Sequence, residues 1–158
     1  MSYASLLVTI RSQIKNWGGK IGLGLLLISV LSLVIAPIFV TDPVIAGKDE
    51  TTTIGMLHNL GRTLGMAMPF SIILISWSLF KSPNWKAVRQ PVLWSALLAV
   101  IGFLISIILL SVLFSKTNSV AGPNAPVGYS MRFEAFTYCI WLLVVAKQAI
   151  NLQGKIKP

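Results

Sequence analysis

Four apolar runs alternate with short polar segments along the chain. Ile21–Thr41, Thr63–Phe80 and Val92–Ser115 hold no charged residue over 21, 18 and 24 positions. At a rise of about 1.5 Å per residue, such lengths match a hydrocarbon core about 30 Å thick. A fourth run, Ala135–Ala146, lies between Glu134 and Lys147. It reaches spanning length if Gly128–Leu152 is one helix whose end charges snorkel to the interface. The pattern predicts an all-α integral-membrane bundle of four up-down helices, with spans at about 20–41, 54–80, 91–115 and 129–152.

Punctuating residues refine these elements. Pro37 and the Thr41-Asp42-Pro43 turn end helix one. Thr51–Thr53 supply N-cap hydroxyls for helix two, and Pro69 predicts a kink at its mid-depth. Lys81–Trp85 reads as a tight turn, with Trp77, Trp85 and Trp94 forming an aromatic belt. Pro91 suits the first turn of helix three. Residues 121–126 form a loop, after which Phe133, Phe136, Tyr138 and Trp141 make helix four the aromatic one. Gly18-x-x-x-Gly22 and Gly61-x-x-x-Gly65 are places where helices can approach closely.

Ahead of the bundle, which covers 18–158, Tyr3, Leu6, Leu7, Ile10, Ile14 and Trp17 recur at three- and four-residue spacing. Residues 1–17 therefore read as an amphipathic helix lying in the interface, with Gly18-Gly19 turning the chain into the first span. Arg11 and Lys15 follow the apolar residues rather than precede them, the reverse of a cleavable signal peptide.

Charge then orients the bundle. Arg11, Lys15, Lys20, Lys81, Lys86, Arg89, Lys147, Lys155 and Lys157 fall on one side, without a single acid. The other side holds Lys48, Arg62, Lys116 and Arg132 with all four acids, Asp42, Asp49, Glu50 and Glu134. Nine cations against four, flanking short loops, predict that both termini are cytoplasmic. The net charge of +9 is thereby topological, and nucleic acid is not an expected partner. A mean hydropathy of +0.81 with 11% charged residues belongs to the same membrane class. Cys139 is the only cysteine, which excludes an internal disulfide or a thiolate metal cluster.

The chemically distinctive residues gather at the non-cytoplasmic ends of three helices. His58 and Arg62 stand four apart on one face of helix two; helix one ends in Asp42, and helix four opens with Arg132 and Glu134. In an up-down bundle these five residues share one depth and are expected to converge on a shallow polar pocket. Three readings compete there. The charges only snorkel or pair to fix packing; two arginines and a histidine bind an anionic or polar headgroup; or histidine and acids transfer protons. No nucleophile–base spacing and no metal-binding motif supports the last, so the chain is expected not to be an enzyme. The single His58 allows one axial ligand to a tetrapyrrole, haem or chlorophyll, whereas bis-histidine haem needs a second chain.

Phe39-Val40-Thr41-Asp42-Pro43, followed by Thr51–Thr53, Gly55 and His58, resembles the domain of unknown function family numbered 998, found in bacterial and archaeal membranes. Its pattern is Phe-Pro-x-Asp-Pro, a threonine, then Gly-x-x-His before a helix. Gly128-Tyr129-Ser130-Met131-Arg132 is similar to the family's later Gly-x-x-Gln-Arg element, with Met131 in place of glutamine and Val40 in place of the earlier proline. The resemblance covers 21–152 and implies that Asp42, Gly55, His58, Gly128 and Arg132 are the marked positions. Family members commonly carry two further spans ahead of these, are loosely likened to b-type cytochrome membrane domains, and have no settled activity. A shortened member implies a partner covering the helix faces that those spans shield. The expected role is an accessory or interaction subunit of a larger membrane complex, whose partners are lipids and other integral membrane subunits. The alternative is a protein holding a lipid headgroup, a quinone or a tetrapyrrole at His58.

Overall fold

A computed structural model describes residues 10–39, 52–117 and 127–154. The described elements are α1 (Trp17–Ile38), α2 (Thr53–Gly65), α3 (Ala67–Phe80), a 3₁₀ turn (Pro83–Val88), α4 (Arg89–Thr117) and α5 (Val127–Gly154). A single helical turn at 10–13 precedes them. Four stretches are long and apolar enough to cross a membrane: Trp17–Ile38, Thr53–Phe80, Pro83–Val112 and Tyr129–Leu152. The chain is a multi-pass, all-α membrane protein.

Helix one begins earlier than the expected position 20. Asn16 is its N-cap, with the side-chain carbonyl accepting from the Gly19 N–H at 2.9 Å. Asparagine is among the best residues for this task because it satisfies an orphan amide. Gly18 and Gly19 consequently lie inside α1 and are not the predicted turn. The helix stops at Ile38 because Phe39 adopts extended backbone, and Pro37 sits inside the last turn, where its missing N–H costs one bond to Leu33. Thr52 caps α2 by accepting from Gly55 N–H at 3.0 Å, as its position before the helix predicts.

Helix two is interrupted rather than smoothly curved. Pro69 cannot donate to the Gly65 carbonyl and its ring crowds that carbonyl. The break falls at Met66, whose N–H tightens back to Thr63 at 3.1 Å before α3 resumes at Ala67. The predicted mid-depth kink is this break.

The bundle is two antiparallel hairpins. In the first, α1 runs against both α2 and α3. Gly19 faces Ser78, Gly22 faces Ile75, Ser32 faces Gly65 and Ala36 faces Gly61, so each step along α1 is matched by an equal step backward along its partner. A Cβ at Gly61 would stand 2.8 Å from the Ala36 nitrogen, and one at Gly19 would collide with Ile14 and Ser78. Both glycine pairs read from the sequence therefore serve one seam. Membrane helices gain little from apolar burial against each other, so close backbone approach supplies the packing energy instead. Ser71 adds a hydroxyl bond to the Gly22 carbonyl at 2.9 Å.

In the second hairpin α4 packs on α5, and its buried positions are Val92, Ser95, Ala96, Ala99, Gly102 and Ser106. Every one is small. Gly102 lies against Thr137, and the Ser106 hydroxyl donates to the Ser130 carbonyl at 3.0 Å. The hairpins meet through α3, the most deeply buried helix, where Trp141 Nε1–H donates to Ser76 Oγ at 2.9 Å and Phe70 meets Phe103 edge-on.

At the end bearing the 3₁₀ turn, Ile10, Ile14, Leu79, Trp85 and Ala149 belong to the buried core. Trp85 is thus a core residue and not a member of the expected aromatic belt, whereas Trp77 and Trp94 are exposed as expected. Gln13 accepts from Asn84 at 3.1 Å, and Gln148 donates to the Asn84 carbonyl at 3.0 Å. Ile10 and Ile14 face inward from the segment read as interfacial, and Arg11 and Lys15 face outward. The remainder of that segment, 1–9, lies outside the described residues.

Candidate functional site

His58 is positioned by the glycine seam. Gly61 brings α2 onto Ala36, and one turn earlier on the same face His58 meets the carbonyl end of α1. Its Nδ1 lies 2.9 Å from the Ala36 oxygen and 2.9 Å from the Phe39 oxygen. Carbonyls only accept, so Nδ1 carries the proton and donates to both. These are among the orphan acceptors that every helix leaves at its C-terminus. The imidazole closes that end and ties α2 to α1 across a link of 19 residues in sequence. Among the described residues no hydrogen bond to Nε2 is seen, and that nitrogen is the one a ligand would meet.

Arg62, one turn beyond His58, is exposed and has no ion pair among the described residues. Thr63 donates to the Asn59 carbonyl at 2.9 Å on the same exposed side. Asp42 lies outside the described residues, as does the loop that holds it.

Arg132 and Glu134 belong to the other hairpin. Arg132 is exposed. Glu134 is half-buried, and its carboxylate accepts from Tyr138 O–H at 2.6 Å, one turn along α5. The α5 helix at this end is held on α4 by the Ser106–Ser130 bond and by Gly102, which leaves Glu134 Cα 3.5 Å from where a Cβ would stand. Among the described residues, no hydrogen bond or ion pair joins the His58–Arg62 group to Arg132 or Glu134. The structure brings His58 to α1 and Glu134 to Tyr138, and it leaves the two arginines on the surface.

No group of three or more His, Cys, Asp or Glu side chains is placed to hold a metal among the described residues. His58 Nε2 offers one axial bond to a tetrapyrrole, and the chain has no second histidine to complete a bis-histidine site. Tyr138 and Ala36 were not legible as partners in the sequence. The Glu134–Tyr138 spacing of four was the available signal for the first; for the second there was none, because Ala36 contributes only backbone.

The family model described as "Protein of unknown function (DUF998)" matches residues 1–147. This is most of the chain, which belongs to that family. The match starts at residue 1, so the N-terminal segment, left outside the resemblance read from motifs, is part of the family's pattern. Among the curated proteins and the solved structures nothing matches.

Proposed function

We propose that the protein is a small, non-catalytic accessory or interaction subunit of a larger membrane protein complex, with both termini in the cytoplasm. The observation that supports this is the contrast between polar groups inside the bundle and charges outside it. Four interior or half-buried polar groups join helices: His58 on α1, Ser71 on Gly22, Ser76 on Trp141, Ser106 on α5. The cations Arg62 and Arg132 are instead displayed at the end opposite the 3₁₀ turn, where neighbouring subunits or headgroups can meet them. An enzyme or cofactor protein reserves its polar side chains for a cavity; this bundle uses them as fasteners.

The second reading, a ligand held at His58, draws on one observation. A histidine whose Nδ1–H is fixed on backbone carbonyls presents Nε2 in a defined direction, the usual second-sphere arrangement of a metal-bound imidazole.

Purification of the native protein in mild detergent, with identification of co-purifying chains and an absorption spectrum, tests both. Integral membrane proteins at fixed stoichiometry and no Soret or chlorophyll band are the outcome expected of an interaction subunit. A pigment band lost in His58→Ala, with the chain otherwise alone, overturns it. Orientation is tested by cysteine labelling at Ser2, Gly47, Ser82, Asn124 and Pro158; labelling of Gly47→Cys from the cytoplasm reverses the topology.

A further inference from the structure

Between α3 and α4, on the half of the bundle nearest the 3₁₀ turn, lies a groove of about 170 Å³. Ile73, Trp77 and Phe80 form one wall; Leu93, Leu97 and Val100 form the other. Wall residues Ile73, Trp77 and Leu97 are 47%, 51% and 42% exposed, whereas Ser76 and Ala96 at the floor are buried. Its floor is made of two small side chains, where larger ones would fill the space. Ser76 Oγ accepts from Trp141, which ties this hydroxyl to α5. The cleft is apolar and opens sideways, toward lipid.

Its mouth is cationic. Lys81 Nζ stands 3.7 Å from the centroid of the Trp77 ring, and the Arg89 guanidinium stands 5.3 Å from that of Phe80. Both rings line the groove, so each positive charge stands beside a groove wall. Lys86 projects from the turn between them. Neither Lys81 nor Arg89 has an ion pair among the described residues, and the one described acid, Glu134, is on the first turns of α5 at the opposite end.

We propose that this groove is a binding site for an anionic phospholipid. The upper part of one acyl chain lies between α3 and α4 over the 73–80 stretch, about 10 Å at the helical rise. The headgroup phosphate sits between Lys81 and Arg89. Charge complementarity selects the occupant: a zwitterionic lipid fills the apolar cleft equally well but brings no net charge to the two cations. The site is separate from the His58 end and does not depend on the subunit role.

The full-length protein, reconstituted in phosphatidylcholine nanodiscs, tests this with lipids brominated near the top of the acyl chain. Bromine quenches tryptophan on contact, and the signal from the groove is the part lost in Trp77→Phe. Dibrominated phosphatidylglycerol is expected to quench Trp77 at far lower mole fraction than dibrominated phosphatidylcholine. With two cations each contributing about fivefold toward an anionic headgroup, the preference is about 25-fold. The Lys81→Gln/Arg89→Gln variant is expected to abolish most of it, whereas Lys15→Gln/Lys147→Gln, an equal charge loss at exposed residues outside the groove, retains it. Ala96→Phe fills the floor and is expected to remove quenching by both lipids. Should that variant not fold, native mass spectrometry of phosphatidylglycerol retained by the wild type and by the two charge variants gives the same comparison. Equal quenching by the two lipids, or equal loss of preference in both charge variants, overturns the proposal. Displacement of the lipid by millimolar inorganic phosphate also overturns it, in favour of a soluble-anion site.

Discussion

Within each hairpin the helices touch backbone to backbone, but between the hairpins they touch through a few large side chains. Along α1, Gly19, Gly22, Ser29, Ser32 and Ala36 let α2 and α3 approach closely, and α4 does the same for α5 with Ser95, Ala99, Gly102 and Ser106. The α3–α4 seam is held by Phe70 against Phe103 and by the Trp141–Ser76 bond from α5, and a groove remains open beside it. The difference teaches how a membrane chain divides its energy. Small residues fix each pair by dispersion and shape, which nothing flexible can replace, and the pairs then dock through contacts that tolerate gaps.

The largest effect should come from breaking the tight seam. Gly61→Leu places a side chain where Ala36 backbone already stands, and backbone cannot rotate aside. Overpacking of this kind costs about 1–3 kcal/mol or more. Loss of the monodisperse folded protein, or a sharp drop in its thermal midpoint in detergent, is the expected result. Gly24→Ala is the matched control, since a Cβ there meets nothing within 4 Å. It should be neutral or slightly stabilising, as alanine is the better helix former. Comparable damage from both would mean that the seam is not built on close approach.

Next in size is His58→Ala, which strips the donor from two helix-end carbonyls in the same seam. The two acceptors are half-buried, so leaving them unpaired costs toward the low end of about 1–3 kcal/mol. Amide exchange in the last turn of α1 should accelerate, with the α4–α5 hairpin unaffected. Trp141→Phe acts on the looser junction and leaves Ser76 without its donor. Interhelical side-chain bonds in membranes are worth about 0.6 kcal/mol on average, so the midpoint should fall by less than for His58→Ala. A larger drop would show that the hairpins depend on this one bond more than on their own seams.

The contrast also separates what the sequence discloses from what it withholds. Spans, the N-cap at Thr52 and the interruption caused by Pro69 follow from local rules: apolar length, a hydroxyl before a helix, a missing N–H. The two glycine pairs were visible as places of close approach, but not that both face one seam, because register is a property of two helices. Gly18-Gly19 looked like a turn because glycine suits turns and close contacts alike; Asn16, an N-cap two residues upstream, was the discriminating signal. At the candidate site, His58 was legible as the residue to watch. Its partners were not, since a backbone carbonyl has no sequence signature. The expected gathering of five polar residues includes Asp42, which lies outside the described residues; among the described ones, hydrogen bonds join His58 to the end of α1 and Glu134 to Tyr138 within α5.

The smallest effect is expected at the displayed charges. Arg132 is exposed on α5, and its nearest acidic neighbour in sequence, Glu134, is already engaged by Tyr138 at 2.6 Å. Among the described residues Arg132 has no ion-pair partner to strand, so Arg132→Ala in the purified chain should shift stability by no more than about 0.5 kcal/mol. The same holds for Arg62→Ala. The comparison sharpens when each variant is measured twice, once in detergent as the isolated chain and once by the yield of co-purifying membrane proteins. A seam variant such as Gly61→Leu should lower both readouts together, because an unfolded subunit assembles with nothing. Arg132→Ala should lower only the second, since a charge that does nothing for its own bundle is free to meet an acid on a neighbour. A loss of several kcal/mol in the isolated chain would place Arg132 in the fastening of the bundle itself and remove it from the surface that recognises partners.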